Sequence, residues 1–219
     1  MSGDVSVVVT PVGGTGALTT PVRAYYIRPW RIDVSVRPGV GELLPVGVAA
    51  LVRAVAAALE AAGAPRPASI GLVLSEDREL SELDREHMGV EGPTDVLSFP
   101  LLPPDAFPPH AGARRDADGS PGTRTGRDPS FVLPPGRRPH LGDVVVSVER
   151  AIAQAEAGRG GQTGDIRWSA GAELRLLVTH GVLHVCGWDH AEPDEESAMR
   201  ALEHRLLASA PPPVGPSRA

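Results

Sequence analysis

The stretch Thr179-His180-Gly181-Val182-Leu183-His184-Val185-Cys186-Gly187-Trp188-Asp189-His190 gathers three of the chain's seven histidines into eleven residues. It closes an apolar run that begins at Ala170 and reads as a helix to about Cys186. On that helix His180 and His184 stand one turn apart on one face, with Cβ atoms roughly 5 to 6 Å apart, so two imidazoles can share one metal ion. His190 cannot join them by continuation, because ten further residues at ~1.5 Å each carry it ~15 Å along the axis and off that face. The helix has to stop and the chain fold back. Gly187 supplies the stop, since glycine readily takes the left-handed conformation just past a helix end. The spacing therefore predicts a helix, a reversing turn and a third ligand returned to the first two.

Three neutral imidazoles on a tetrahedral zinc ion leave one position open for water, the arrangement of a catalytic site rather than a closed structural one. Such a water approaches neutrality in pKa and serves as a nucleophile, while the ion polarises a phosphoryl or carbonyl oxygen. One Zn²⁺ is the expected cofactor, although a three-histidine site also accepts nickel or cobalt. The competing readings are unrelated histidines and a purely structural metal. Cys186 is the single cysteine, which excludes a disulfide framework and a Cys-rich zinc finger and suits a reducing cytoplasm. A zinc protease helix of the H-E-x-x-H kind carries its general-base Glu directly after the first His. Here that position is Gly181, so a metal-dependent peptidase or amidase ranks second.

Working outward, Arg31 to Val36 alternates as a strand, and a helix follows with Pro45 in its first turn, apolar residues at Val48, Leu51, Val52, Val55 and Leu59, and a cap at Gly63. Ser69 to Leu74 is a second strand, Glu76 to about His87 a short charged helix, and Thr94 to Phe99 a third strand. Gly142 to Val148 is a fourth, whose consecutive valines imply burial on both faces. Helices from about Glu149 and from Asp194 to Leu207 complete the set. Four strands among five helices give a single α/β or α+β layer domain. Its bounds are 30–208, with 1–29 a loose extension, about 103–139 a disordered, arginine-rich insertion, and 209–219 a disordered tail. The insertion reads as a solvated loop or an RNA-contacting flap.

The net charge of −6 argues against a protein that coats nucleic acid through bulk electrostatics, though a local basic groove stays compatible with it. No run reaches the roughly 18 to 20 uncharged apolar residues that span a bilayer, and no export signal is expected.

His180 to His190, read as HGVLHVCGWDH, resembles the H-G-x-L-H-L-x-G-x-D-H signature of the YbeY family, the metal-dependent, single-strand-specific endoribonucleases of ribosomal RNA maturation. GPTDVLSFP at 92–100 and LGDVVVSVERA at 141–151 resemble two further segments of that family, in the same order. The resemblance covers about 31–208. It implies an α+β, zincin-like domain with a mixed sheet of about four strands, a metal ion, normally zinc, on His180, His184 and His190, and cytoplasmic work in 16S 3′-end maturation and ribosome quality control. The implied partners are single-stranded RNA, above all rRNA, and the ribosome or its small-subunit proteins, with neither DNA nor a membrane. A ribosome-assembly factor with a structural metal is the non-catalytic alternative. Where many members carry Tyr-Arg, the Arg being the phosphate-contacting catalytic residue, this chain has His87 and Met88, and Met cannot bind phosphate. Arg85, on the same short helix, is the substitute candidate.

Asp189 can orient a ligand imidazole, accept a proton or cap the following turn. Trp188 can stack on a base or fill the core beside the turn. Cys186, rotated about 240° from His180, faces away from the metal and belongs in the core. Asp95 and Ser98 alternate on their strand, so both line one cleft only if that strand is an edge.

Overall fold

Val144, Val145 and Val146 are all buried, at 0%, 6% and 0% exposure. Successive side chains on a strand point to opposite faces, so the sheet carrying them is covered on both sides. The computed structural model describes residues 6–9, 21–87, 94–112, 138–158 and 169–209. Strands β1 (Ser6–Val9), β2 (Val22–Ile27), β3 (Trp30–Val36), β4 (Ser69–Ser75), β5 (Val96–Pro100) and β6 (His140–Ser147) form one sheet in the order β1-β2-β3-β4-β6-β5. The β3–β4 and β4–β6 pairs are parallel, and the β1–β2, β2–β3 and β5–β6 pairs antiparallel.

The helices are α1 (Val40–Leu43), α2 (Val48–Ala61), α3 (Asp77–His87), α4 (Val148–Glu156), α5 (Ala170–Val185) and α6 (Pro193–Ala208). Val144 and Val146 share one core with Leu51 and Leu59 of α2, Leu174 and Leu183 of α5 and Met199 of α6. Each fully buried aliphatic side chain of this kind contributes about 2 kcal/mol of transfer free energy. Val145 faces the other way and packs with Leu97 of β5 and Leu80 of α3. α3 thus lies on the opposite face of the sheet from α5.

The α+β expectation holds, and the valine run is buried as its sequence requires. The strand count differs: six among the described residues, not four. β1 and β2 fall inside the stretch 1–29 that reads as a loose extension, and β2 is bonded along its length to β3, with Ala24 and Tyr25 buried. α2 begins at Val48, after Gly47, so Pro45 precedes the helix instead of opening it. Residues 103–112, at the start of the expected insertion, are described and contain a 3₁₀ turn, Pro104–Ala106, and the buried Phe107. The expected insertion from 113 to 137, and the tail from 210, lie outside the described residues. Among the described residues no helix is long and apolar enough to cross a membrane.

Candidate metal centre and active site

Ser169 starts α5 by accepting a hydrogen bond from the Ala172 backbone N–H at 3.2 Å. The helix is buried almost all round, and at Gly181 its backbone comes so close to the sheet that a Cβ would lie 2.5 Å from Val144 Cγ1 and 2.8 Å from Val96 Cγ2. The position that carries the general base in H-E-x-x-H proteases therefore has no room for a side chain. Ser98 of the edge strand β5 closes this contact by donating to the Gly181 carbonyl at 3.0 Å. Asp95, just before β5, instead accepts from Gln154 of α4 at 2.9 Å, so Asp95 and Ser98 serve different helices.

α5 ends as its sequence predicts. Gly187 has φ +84°, its N–H bonds to the His184 carbonyl at 3.0 Å, and the Trp188 N–H bonds to the Leu183 carbonyl at 3.0 Å, which is a Schellman motif. The chain reverses, Asp189 Oδ1 accepts from the His190 backbone N–H at 2.8 Å, and the His190 ring returns to the pair on the helix. Ring centroids stand 4.5 Å apart for His180–His184, 5.3 Å for His180–His190 and 5.0 Å for His184–His190. One nitrogen from each ring lies within 4.8 Å of the other two.

Hydrogen bonds to the far side of two rings fix what these nitrogens can do. His184 Nδ1 lies 2.9 Å from the Trp188 carbonyl oxygen, which only accepts, so Nδ1 carries the proton. His180 Nδ1 lies 2.8 Å from Glu203 Oε1 of α6, and donates to that carboxylate in the same way. In a neutral imidazole the other nitrogen is then a bare lone pair. Burial, reinforced by the neighbouring His180 and His190, pushes the His184 pKa down to about 4, so this ring is neutral at pH 7. His180 Nε2 and His184 Nε2 nevertheless face each other at 3.0 Å. That contact brings the two metal-facing nitrogens together, bridged either by a shared proton or by a metal ion. Bonds of about 2.05 Å at a tetrahedral angle need nitrogens about 3.3 Å apart, so the donor set and its spacing fit a zinc-sized ion.

Glu203 escapes the sequence reading. It is 5% exposed and sits on the buried stripe of α6 with Met199 and Leu202. A carboxylate at i+4 from the buried Met199 and next to Leu202 is the signal that marks it. Carboxylate–histidine–metal pairs of this type fix ring orientation and raise ligand basicity.

The described part of the insertion supports the same turn. Gly112 O accepts from the Asp189 N–H at 2.7 Å, and the His110 ring stacks on Trp188 with centroids 4.1 Å apart and planes 10° from parallel. Trp188 is thus a core residue, and its ring leaves no space for a side chain at 112. Burial lowers the His110 pKa against a hydrogen bond to the Cys186 backbone. Cys186 is fully buried, its thiol pushed up to about 12 by desolvation. Arg85 is exposed on α3, on the face of the sheet away from α5. Met88 lies outside the described residues.

The sequence profile of the endoribonuclease YbeY family matches residues 47–210. This chain belongs to the YbeY family. An endoribonuclease YbeY from Frankia casuarinae is 38% identical over 178 residues, covering 81% of this chain and 73% of the relative. One from Roseiflexus castenholzii is 33% identical over 179 residues, covering 81% and 91%. A solution structure from Thermotoga maritima covers 82% of this chain and 89% of its own, at 18% identity and a TM-score of 0.40. YbeY membership agrees with the resemblance seen in the HGVLHVCGWDH, GPTDVLSFP and LGDVVVSVERA segments.

Proposed function

We propose that this protein hydrolyses single-stranded RNA with one zinc ion held by His180, His184 and His190, and that its substrate is ribosomal RNA, at the 16S 3′ end. Family membership gives the reaction class, hydrolysis of RNA phosphodiester bonds by an endonuclease. The observation that carries the metal reading is the convergence of one nitrogen from each of His180, His184 and His190 within 4.8 Å of one another, with the opposite nitrogens of His180 and His184 tied to acceptors. When bound, the ion supplies Lewis acidity toward a phosphoryl oxygen and an acidified water. The protein's own part is to hold the ligand set. Glu203 and the Trp188 carbonyl lock the tautomers of His180 and His184, the Schellman turn returns His190, and Asp189 shapes that turn while remaining a candidate proton acceptor. His180 and His190 border a shallow, open depression, at whose mouth the scissile phosphate would sit. Work in the cytoplasm beside small-subunit proteins, within a catalytic domain of residues 30–208, belongs to the same proposal.

The test is cleavage of a labelled single-stranded RNA by metal-replete protein beside His184→Ala, both shown folded, with a duplex of the same sequence as control. Cleavage of the single strand by wild type alone supports the proposal. Identical background from both proteins overturns the nuclease reading and favours a ribosome-bound factor with a structural metal. Chelator-sensitive cleavage of peptides with RNA intact favours the peptidase.

A further inference from the structure

We infer that Arg200 of α6 is the cation that receives the RNA phosphate beside the histidine centre, an assignment that rests on the nuclease reading above. A phosphodiester is an anion, and the cavity it would enter is lined by His180, His190, Glu196, Met199, Arg200 and Glu203. Two of these are carboxylates, and the chain carries net charge −6, so an anion approaching the histidines meets repulsion unless a cation offsets it. Arg200 is the one cationic side chain lining the cavity among the described residues. Helical spacing explains its placement: Glu196, Met199, Arg200 and Glu203 recur at i, i+3, i+4 and i+7, so the turn that buries Glu203 against His180 also presents Arg200 at the same opening.

The side chain is already partly organised. Its Nη2 lies 2.5 Å from Glu196 Oε1, and its Nε is buried without a hydrogen-bond partner among the described residues. The pair with Glu196 is about two-fifths exposed on each side, at 39% and 44%, and pairs of that exposure contribute little stability. Exchange of Glu196 for a phosphate oxygen is therefore inexpensive. A guanidinium carries five donors in a fork that matches phosphate geometry, and Glu196 engages only one end of it. Arg85, the arginine expected from sequence, is exposed on α3 across the sheet.

The experiment measures binding of a non-cleavable 2′-O-methyl single-stranded oligonucleotide to full-length, metal-free protein at three salt concentrations, and cleavage of the corresponding RNA by the zinc-loaded protein. Variants are Arg200→Gln, Arg200→Lys, Arg85→Gln and Arg205→Gln, the last an exposed cation on the same helix. Arg200→Gln is expected to bind about tenfold more weakly, the loss of one charge-assisted hydrogen-bonded contact. Its slope of log K against log salt should flatten by about 0.7, the signature of one phosphate contact to a single strand. Arg200→Lys should recover part of the binding, and Arg85→Gln and Arg205→Gln should match wild type. Wild-type binding and salt slope in a folded Arg200→Gln, or an equal loss in Arg85→Gln or Arg205→Gln, overturns the assignment while cleavage by wild type leaves the nuclease reading standing. Wild type that neither binds nor cuts RNA overturns both.

Discussion

Replacing Glu203 separates two things a buried carboxylate can do, because its effects on metal affinity and on the metal-free fold are read by independent measurements. Glu203 is 5% exposed and lies 2.8 Å from His180 Nδ1. In the metal-free protein it is a buried carboxylate hydrogen-bonded to the His180 ring, and a replacement that cannot accept leaves that ring's Nδ1–H without a partner. With a metal on Nε2, the imidazole becomes more acidic at Nδ1 and the carboxylate's hold on that proton strengthens. Partners of this type typically alter metal affinity by about 10- to 100-fold, or about 1.4 to 2.7 kcal/mol. Glu203→Gln keeps an oxygen acceptor for Nδ1 and loses the charge, so it falls near the tenfold end. Glu203→Leu leaves the Nδ1 proton without an acceptor and falls near the hundredfold end. The assay is zinc affinity by competition with a chromophoric chelator, alongside chemical unfolding of the metal-free proteins. Zinc affinities within about twofold of wild type for both variants would refute the reasoning. So would loss of affinity that merely tracks loss of metal-free stability, since the carboxylate would then be part of the scaffold and no more.

Gly181→Ala should destabilise the protein by about 1 to 3 kcal/mol, lowering the melting temperature by several degrees, because the new methyl meets Val144 and Val96 inside van der Waals contact; an unchanged melting curve contradicts the close approach. Cys186, with its thiol held near 12 and fully buried, should resist a thiol-specific reagent at pH 8 in native protein and react after denaturation; stoichiometric native labelling tells against that burial. The folded pKa of His184, about 4, lies below its unfolded value near 6.5, so the unfolded chain binds the extra proton between them. The resulting stability is present above pH 6.5 and lost as pH falls toward 4, by at most about 3 kcal/mol, and the difference between metal-free wild type and His184→Leu in unfolding free energy should shrink accordingly; a difference independent of pH would count against the shift.

The histidine centre is legible in sequence because its ligands, its helix and its turn are local: His180 and His184 share a helical face, and Gly187 marks the reversal that returns His190. What is not legible depends on residues distant in the chain. Glu203 reaches His180 only because α6 packs back against α5, and a lone Glu at 203 carries no hint of that until the apolar stripe of Met199 and Leu202 is traced around it. β2 hides because its partner β3 supplies the hydrogen bonds, while the Gly, Thr and Pro that precede it dominate any local reading. Residues 104–112 look like solvated loop from their prolines, yet Phe107 and His110 are spent on the metal turn, an outcome set by Trp188 some eighty residues later. α2 starts at Val48 rather than around Pro45, whose carbonyl lies beside Gly171 of α5, a contact with no trace in the local pattern.

The clamp formed by Gly112, His110 and Trp188 on one side and Glu203 on the other also sets a timetable. Synthesis runs from the N-terminus, and every component of the sheet exists before His180 is made, yet the tautomer of His180 waits for a residue near the C-terminal end of α6. A nascent chain can thus assemble its β-layer while its metal chemistry is still unarmed. Hydrolytic competence then arrives with α6, after the whole sheet has been made.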